Sequence, residues 1–251
     1  MKKLLIGVIG VPIQLEKKRN STKEFFSPGL TDSLRLGTKK FIEKMSKEKN
    51  LEIDVLDLGE LIDLENVLSE KDRLIGIPKS RLDELAQKLK KMIKDLDLVI
   101  VYGGIHTGAY LLYHLPGKIE RYDIHNDNYE VDIPFHTSYF RHATGLKKPS
   151  EVSNHDLMDK ILSDETEACG SIFDIDIDYL SPSVYCQLKE EDVKNNFQKI
   201  KEDIRKAKPR IIGFFEFQNL DGTAKGQEKL LSLAWEGVKT IKHSTEQSPS
   251  A

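Results

Sequence analysis

Acids and histidines recur at alternate positions in this chain. In Asp123-Ile124-His125-Asn126-Asp127 an acid, an imidazole and a second acid occupy every other residue, and Asp176-Ile177-Asp178 repeats the spacing. On an extended strand such residues project to one side. His106 follows Gly103-Gly104-Ile105, where an apolar run stops abruptly. Brought together, these groups would repel, and burying them unpaired is costly. A divalent cation removes that conflict. Two histidines with four aspartates make a borderline-hard donor set that suits Mn²⁺ and also accommodates Zn²⁺, Co²⁺ or Fe²⁺. Six donors exceed what one metal with an open water position needs, so His106, Asp123, His125, Asp127, Asp176 and Asp178 point to two ions. Such pairs lie roughly 3.5–4 Å apart and share a bridging water. Metal binding makes that water acidic enough to act as hydroxide near neutral pH. The chemistry expected of these residues is metal-dependent hydrolysis.

Separate segments must deliver them to one place, and the rest of the chain is patterned for that. Short apolar runs alternate with lysine-rich amphipathic stretches from end to end. Leu4 to Val11 reads as a buried strand, and Thr31 as the cap of a helix running through Met45. Leu51 to Leu58 reads as a strand, and Leu82 to Ile93 carries a helical period. Leu98 to Tyr102 is a continuous apolar run, the mark of a strand buried on both faces. A short helix is expected over Ala109 to Tyr113, with strands at Ile119 to His125 and Ser171 to Ile177. Glu190 to Ala207 reads as a helix, Ile211 to Phe215 as a strand, and Gln227 to Ile241 as a closing helix.

This alternation predicts a three-layer α/β/α fold with a mostly parallel central sheet. In such a sheet the carboxyl ends of the strands share one edge, where ligands bind. His106, the acids from Asp123 and from Asp174 onward, and Glu216 all fall at strand ends and are expected to meet there. One domain over residues 1–242 is predicted, followed by a polar, disordered tail at 243–251. The stretch from Asp132 to His155 is the least regular and reads as a functional loop or lid.

The bulk composition excludes several classes. With 251 residues, 39% hydrophobic and 31% charged, the chain is that of a globular protein large enough to bury a core. A net charge of −3, with the lysines spread over helical faces, gives no sign of a nucleic-acid or membrane partner. No apolar run approaches the roughly 20 residues that cross a bilayer. The apolar start lacks a small-residue cleavage site, and Glu16-Lys17-Lys18-Arg19 follows at once. The two cysteines, Cys169 and Cys186, match no zinc or redox spacing. A cytoplasmic protein is expected.

At these same residues the chain resembles the arginase/agmatinase (ureohydrolase) superfamily. The family's Gly-Gly-Asp-His-Ser is matched by Gly103-Gly104-Ile105-His106-Thr107, and its Asp-Ala-His-x-Asp by Asp123 to Asp127. Its Asp-x-Asp-x-x-Asp-Pro is matched by Asp176-Ile177-Asp178-Tyr179-Leu180-Ser181-Pro182. Order and spacing agree, all within Leu98 to Asn219. The resemblance implies an arginase/deacetylase-like fold and a binuclear manganese centre. It places His106 on one ion and His125 on the other, Asp123 and Asp176 between them, and Asp127 and Asp178 completing the two shells.

The family's late strand-end glutamate, which receives the substrate guanidinium, is matched by Glu216 in Phe214 to Asn219. A carboxylate binds that planar group through two parallel hydrogen bonds. His136 to Ala143 is a stretched version of a family segment in which a histidine precedes Phe-Arg-Arg-Ala. That makes His136, or its rival His142, the proton shuttle to the leaving amine. The chain also departs from the pattern at Ile105, Ile124, Asn128, Tyr129 and Ser181, and Ser183 to Leu188 replaces a glycine-rich segment. The metal chemistry carries over and the substrate does not. Free arginine, agmatine and an arginine side chain within a peptide, as in divergent peptide arginases, all fit. Relatives are often trimers or hexamers, which implies a homo-oligomer.

The expected reaction is hydrolysis of a guanidino carbon–nitrogen bond to urea and an amine, with Asp127 accepting a hydrogen bond from the attacking hydroxide. Two other classes use the same residues. One is a single-zinc amide hydrolase of the deacetylase kind, and the other a non-catalytic metal-binding protein. Metal stoichiometry and turnover separate the three.

Overall fold

In chain order the strands are β1 (Leu4–Val11), β2 (Ile13–Lys18), β3 (Ser21–Phe26), β4 (Ile53–Glu60), β5 (Leu74–Ile75), β6 (Leu98–Gly103), β7 (Lys118–Tyr122), β8 (Ser171–Asp176) and β9 (Ile211–Phe215). Among the described residues the helices are α1 (Asp32–Glu48), α2 (Lys79–Met92), α3 (Glu190–Ala207) and α4 (Ala224–Glu246). Two 3₁₀ segments, His106–His114 and Ile177–Leu180, follow β6 and β8. The computed structural model describes residues 3–18, 21–61, 74–75, 77–123, 170–180, 188–216 and 224–246.

Six strands form one sheet in the order β4-β1-β6-β9-β8-β7. Every pairing in it is parallel. The pattern of the strands explains why it is covered on both faces. Along β6 Leu98, Ile100 and Tyr102 enter one apolar core, while Val99 and Val101 enter the other. The first core packs against α1, α3 and α4 through Leu34, Ile42, Ile200, Ile204, Leu233 and Val238. The second packs against α2 and the 106–114 segment through Leu82, Leu89, Tyr110 and Leu112. The architecture is therefore the three-layer α/β/α expected. No described helix is long and apolar enough to cross a membrane.

Several details differ from the sequence reading. Strands β2 and β3 form an antiparallel hairpin that, with β5, makes a small second sheet. Thr31 stands at the start of α1, yet its side chain does not cap the helix. Its hydroxyl donates instead to Glu60 Oε1 at 2.6 Å, and the backbone N–H groups of Gly29 and Thr31 donate to the same carboxylate. A carboxylate accepts more strongly than a hydroxyl can cap, so Glu60 takes over the turn. Helix α4 runs to Glu246, beyond the Ile241 where the closing helix was expected to end. Residues 247–251 lie outside the described residues.

Candidate metal centre

The strand order brings β6, β9, β8 and β7 side by side, so their carboxyl ends share one edge of the sheet. Each delivers part of the site. After β6 the chain must pass under a neighbouring ring, and only glycine permits it. A Cβ on Gly103 would collide with the Phe215 ring, and one on Gly104 with the carbonyl of Ile13. The chain can then turn directly into the 106–114 segment, which starts at His106. The His106 ring lies nearly parallel to Phe215, centroids 5.7 Å apart and planes at 17°. Glu216, next after Phe215, has a positive φ of 65°. That left-handed conformation is uncommon for a side chain of this kind and tends to persist where surroundings demand it.

Alternation along β8 sets the acids. Phe173 and Ile175 enter the core under α1, α3 and α4. Asp174 and Asp176 are fully buried and meet the 106–114 segment. Asp174 Oδ1 is 3.0 Å from His106 Nε2, and Asp174 Oδ2 accepts the Tyr113 hydroxyl at 2.8 Å. On the far side of the ring, His106 Nδ1 is 3.3 Å from Asp176 Oδ2 and 3.6 Å from Asp123 Oδ2. Asp176 Oδ1 is held by the backbone N–H of Asp178 at 2.7 Å. Asp123, just past the end of β7, forms an ion pair with Arg121.

The electrostatics follow from this crowding. Burial opposes charge on His106, but the carboxylates of Asp174 and Asp176 overcome it and hold the imidazole well above its usual range. Burial pushes the Asp176 carboxyl up to about 6, with His106 opposing the rise and the charges of Asp123 and Asp178 adding to it. Burial and the nearby Asp174 carboxylate push the Tyr113 phenol up as well.

A divalent cation fits this donor set. One ligand atom each from His106, Asp123 and Asp176 lies within 4.8 Å of the other two. Asp176 Oδ2 is buried and, among the described residues, accepts no hydrogen bond of good geometry. An imidazole nitrogen faces two carboxylate oxygens, and His106 is held through its Nε2 and Asp176 through its Oδ1, as ligands of a metal site are held by partners outside it. Glu216 is tied to the same place, since its Oε1 accepts the backbone N–H of His106 at 2.8 Å.

Of the residues singled out in the sequence, the structure brings together His106, Asp123, Asp176 and Glu216. Asp178 is buried next to Asp176 but is not in the three-atom group. Strand β8 stops at Asp176, and a 3₁₀ turn begins at Ile177, so period-two spacing ends there. The alternating pair on the strand is Asp174 and Asp176 rather than Asp176 and Asp178. His125, Asp127, His136 and His142 lie outside the described residues. Asp174 was expected only as one of the acids meeting at the strand ends; its pairing with His106, Tyr113 behind it and Arg121 beside Asp123 had no part in the sequence reading. The available signal was strand spacing, because Asp174 and Arg121 each stand two residues before a candidate ligand.

No protein-family model and no curated protein matches the chain. Solved structures do. Arginase from Bacillus caldovelox is similar over 96% of this chain and 98% of its own, at 17% identity and TM-score 0.58. A hypothetical agmatinase from Burkholderia thailandensis is similar over 98% of this chain and 88% of its own, at 16% identity and TM-score 0.60. Formimidoylglutamase from Bacillus subtilis subsp. subtilis str. 168 is similar over 96% and 91%, at 14% identity and TM-score 0.53. The chain thus shares the fold of these solved arginase and agmatinase structures.

Proposed function

We propose that this protein is a metal-dependent hydrolase of the ureohydrolase type, cleaving a guanidino carbon–nitrogen bond. The observation that carries the reading is the convergence of His106 Nδ1, Asp123 Oδ2 and Asp176 Oδ2 beside Glu216, at the strand edge of an arginase fold. His106, Asp123 and Asp176 would hold metal, with His125, Asp127 and Asp178 completing a pair of manganese ions. When bound, such ions supply Lewis-acid activation of a water.

The remaining work falls to the chain. Glu216 receives the guanidinium, its backbone strained and its carboxylate already fixed beside His106. Asp127 takes a hydrogen bond from the attacking water and orients it. His136 or His142 donates a proton to the departing amine nitrogen. His106, Asp176 and the Phe215 ring beside them are buried, and low exposure to water strengthens charged contacts. Free arginine, agmatine and peptide-borne arginine are the substrates to compare.

A single-zinc amide hydrolase is the second reading, favoured by the fact that one histidine and two carboxylates form the group among the described residues. Metal content by mass spectrometry, followed by urea release from arginine, agmatine and an arginine-containing peptide with Mn²⁺ present, tests both. Two manganese ions per chain with urea from any of the three supports the ureohydrolase reading. One zinc per chain with no urea replaces it by the second.

A further inference from the structure

We infer that Asp174, backed by Tyr113, is a positioning residue that holds the His106 ring with its proton on Nε2 and its Nδ1 turned to Asp123 and Asp176. This rests on the metal-site reading above and concerns how the chain readies its own ligand. A neutral imidazole has one donor and one acceptor nitrogen, so the partner of one nitrogen decides what the other can do. Asp174 Oδ1 lies 3.0 Å from Nε2. A carboxylate only accepts, so this contact requires the proton on Nε2 and leaves the Nδ1 lone pair for a cation. Nδ1 faces the oxygens of Asp176 and Asp123 at 3.3 and 3.6 Å.

Asp174 is itself locked. Its second oxygen accepts the hydroxyl of Tyr113 at 2.8 Å, and all three side chains are buried. Tyr113 and His106 stand near opposite ends of one 3₁₀ segment, His106–His114. Two points of that segment therefore hang on one carboxylate of β8, fixing both the tilt of the segment and the rotation of the ring. Phe215, parallel to His106 at 5.7 Å, closes the remaining face. A bridge serving only to join β8 to the segment would have no need of the ring nitrogen opposite the candidate metal. The observed contact is on that nitrogen.

Outer carboxylates on metal-binding histidines are worth about 10–100-fold in metal affinity. The test measures Co²⁺ affinity by competition with a chromophoric chelator for wild type, Asp174→Asn and Tyr113→Phe, alongside melting of the metal-free proteins. Asp174→Asn should bind Co²⁺ about 10–100-fold more weakly while remaining folded, and Tyr113→Phe should weaken it less. If Asp174→Asn binds as tightly as wild type, the positioning role is overturned while the metal reading stands. If wild type takes up no Co²⁺, the metal reading falls and this inference with it. A second measurement needs no variant. In ¹⁵N-histidine-labelled wild type loaded with zinc, a long-range ¹H–¹⁵N correlation should place the His106 proton on Nε2, and a proton on Nδ1 overturns the assignment.

Discussion

The backbone N–H of His106 donates to the carboxylate of Glu216 at 2.8 Å, across 110 positions of sequence. A residue proposed to hold metal and a residue proposed to hold substrate are thereby fixed to each other at the ends of two adjacent parallel strands. Glu216→Gln keeps an oxygen for that N–H and removes the charge. Guanidinium binding should suffer, with turnover falling by about 10²-fold or more, while the melting temperature moves by only a few degrees. Steady-state urea release and a thermal melt check it. Full turnover in the amide variant would remove Glu216 from substrate binding.

Metal uptake should be linked to protons. The Asp176 carboxyl, raised by burial from 3.8 to about 6, favours the fold most below 3.8 and loses that contribution as pH rises through about 6. His106 is held well above 6.5 because Asp174 and Asp176 outweigh its burial, so its contribution is full below 6.5 and is lost as pH rises beyond. Both protons occupy atoms proposed to face the cation, so binding must expel them. The gain in melting temperature on adding Mn²⁺ should therefore grow from pH 5 to pH 8, and EDTA should lower the melting temperature more at pH 8 than at pH 5. A gain that does not change with pH would show that neither group meets the metal.

What the sequence made legible, and what it did not, divides along physical lines. Strand β9 and helix α3 were readable at their ends because apolar content and turn residues change sharply there. The meeting of His106, Asp123, Asp176 and Glu216 was readable because a parallel sheet places all its carboxyl ends on one edge. The hairpin of β2 and β3 was not, since Glu16, Lys17, Lys18, Lys23 and Glu24 interrupt any alternation of apolar residues. Its pairing is a tertiary property. Spacing alone does not mark where a strand gives way to a 3₁₀ turn, so the strand face that Asp176 and Asp178 were expected to share ends at Asp176. The position of Arg121 was hidden for a related reason. It depends on the β7–β8 register, which sets Arg121 opposite Asp174.

Arg121 brings a cation to the site. Its guanidinium pairs with Asp123, and both side chains are nearly buried. Arg121→Met keeps bulk and leaves Asp123 facing other acids. Breaking a buried pair costs about 3–5 kcal/mol, so the metal-free variant should melt well below wild type. An ion that no longer competes with the guanidinium for Asp123 should restore much of the loss. Melts with and without Mn²⁺ decide it, and an equal deficit in both conditions would mean that Arg121 does not shield the metal ligands.

Gly103 tests the packing that orients His106. A methyl group there would meet the Phe215 ring, and the ring in turn lies against His106. Overpacking of this kind costs about 1–3 kcal/mol. Gly103→Ala should lower stability and, by pushing Phe215 against the imidazole, weaken Co²⁺ binding. Phe215→Leu leaves a smaller side chain in the path of the new methyl group, so the double variant should be less destabilised than the sum of the two single variants. Contacting residues commonly show such coupling at about 0.5–3 kcal/mol. Denaturant unfolding of the four proteins measures it, and strict additivity would place the strain of Gly103→Ala somewhere other than the ring that covers His106.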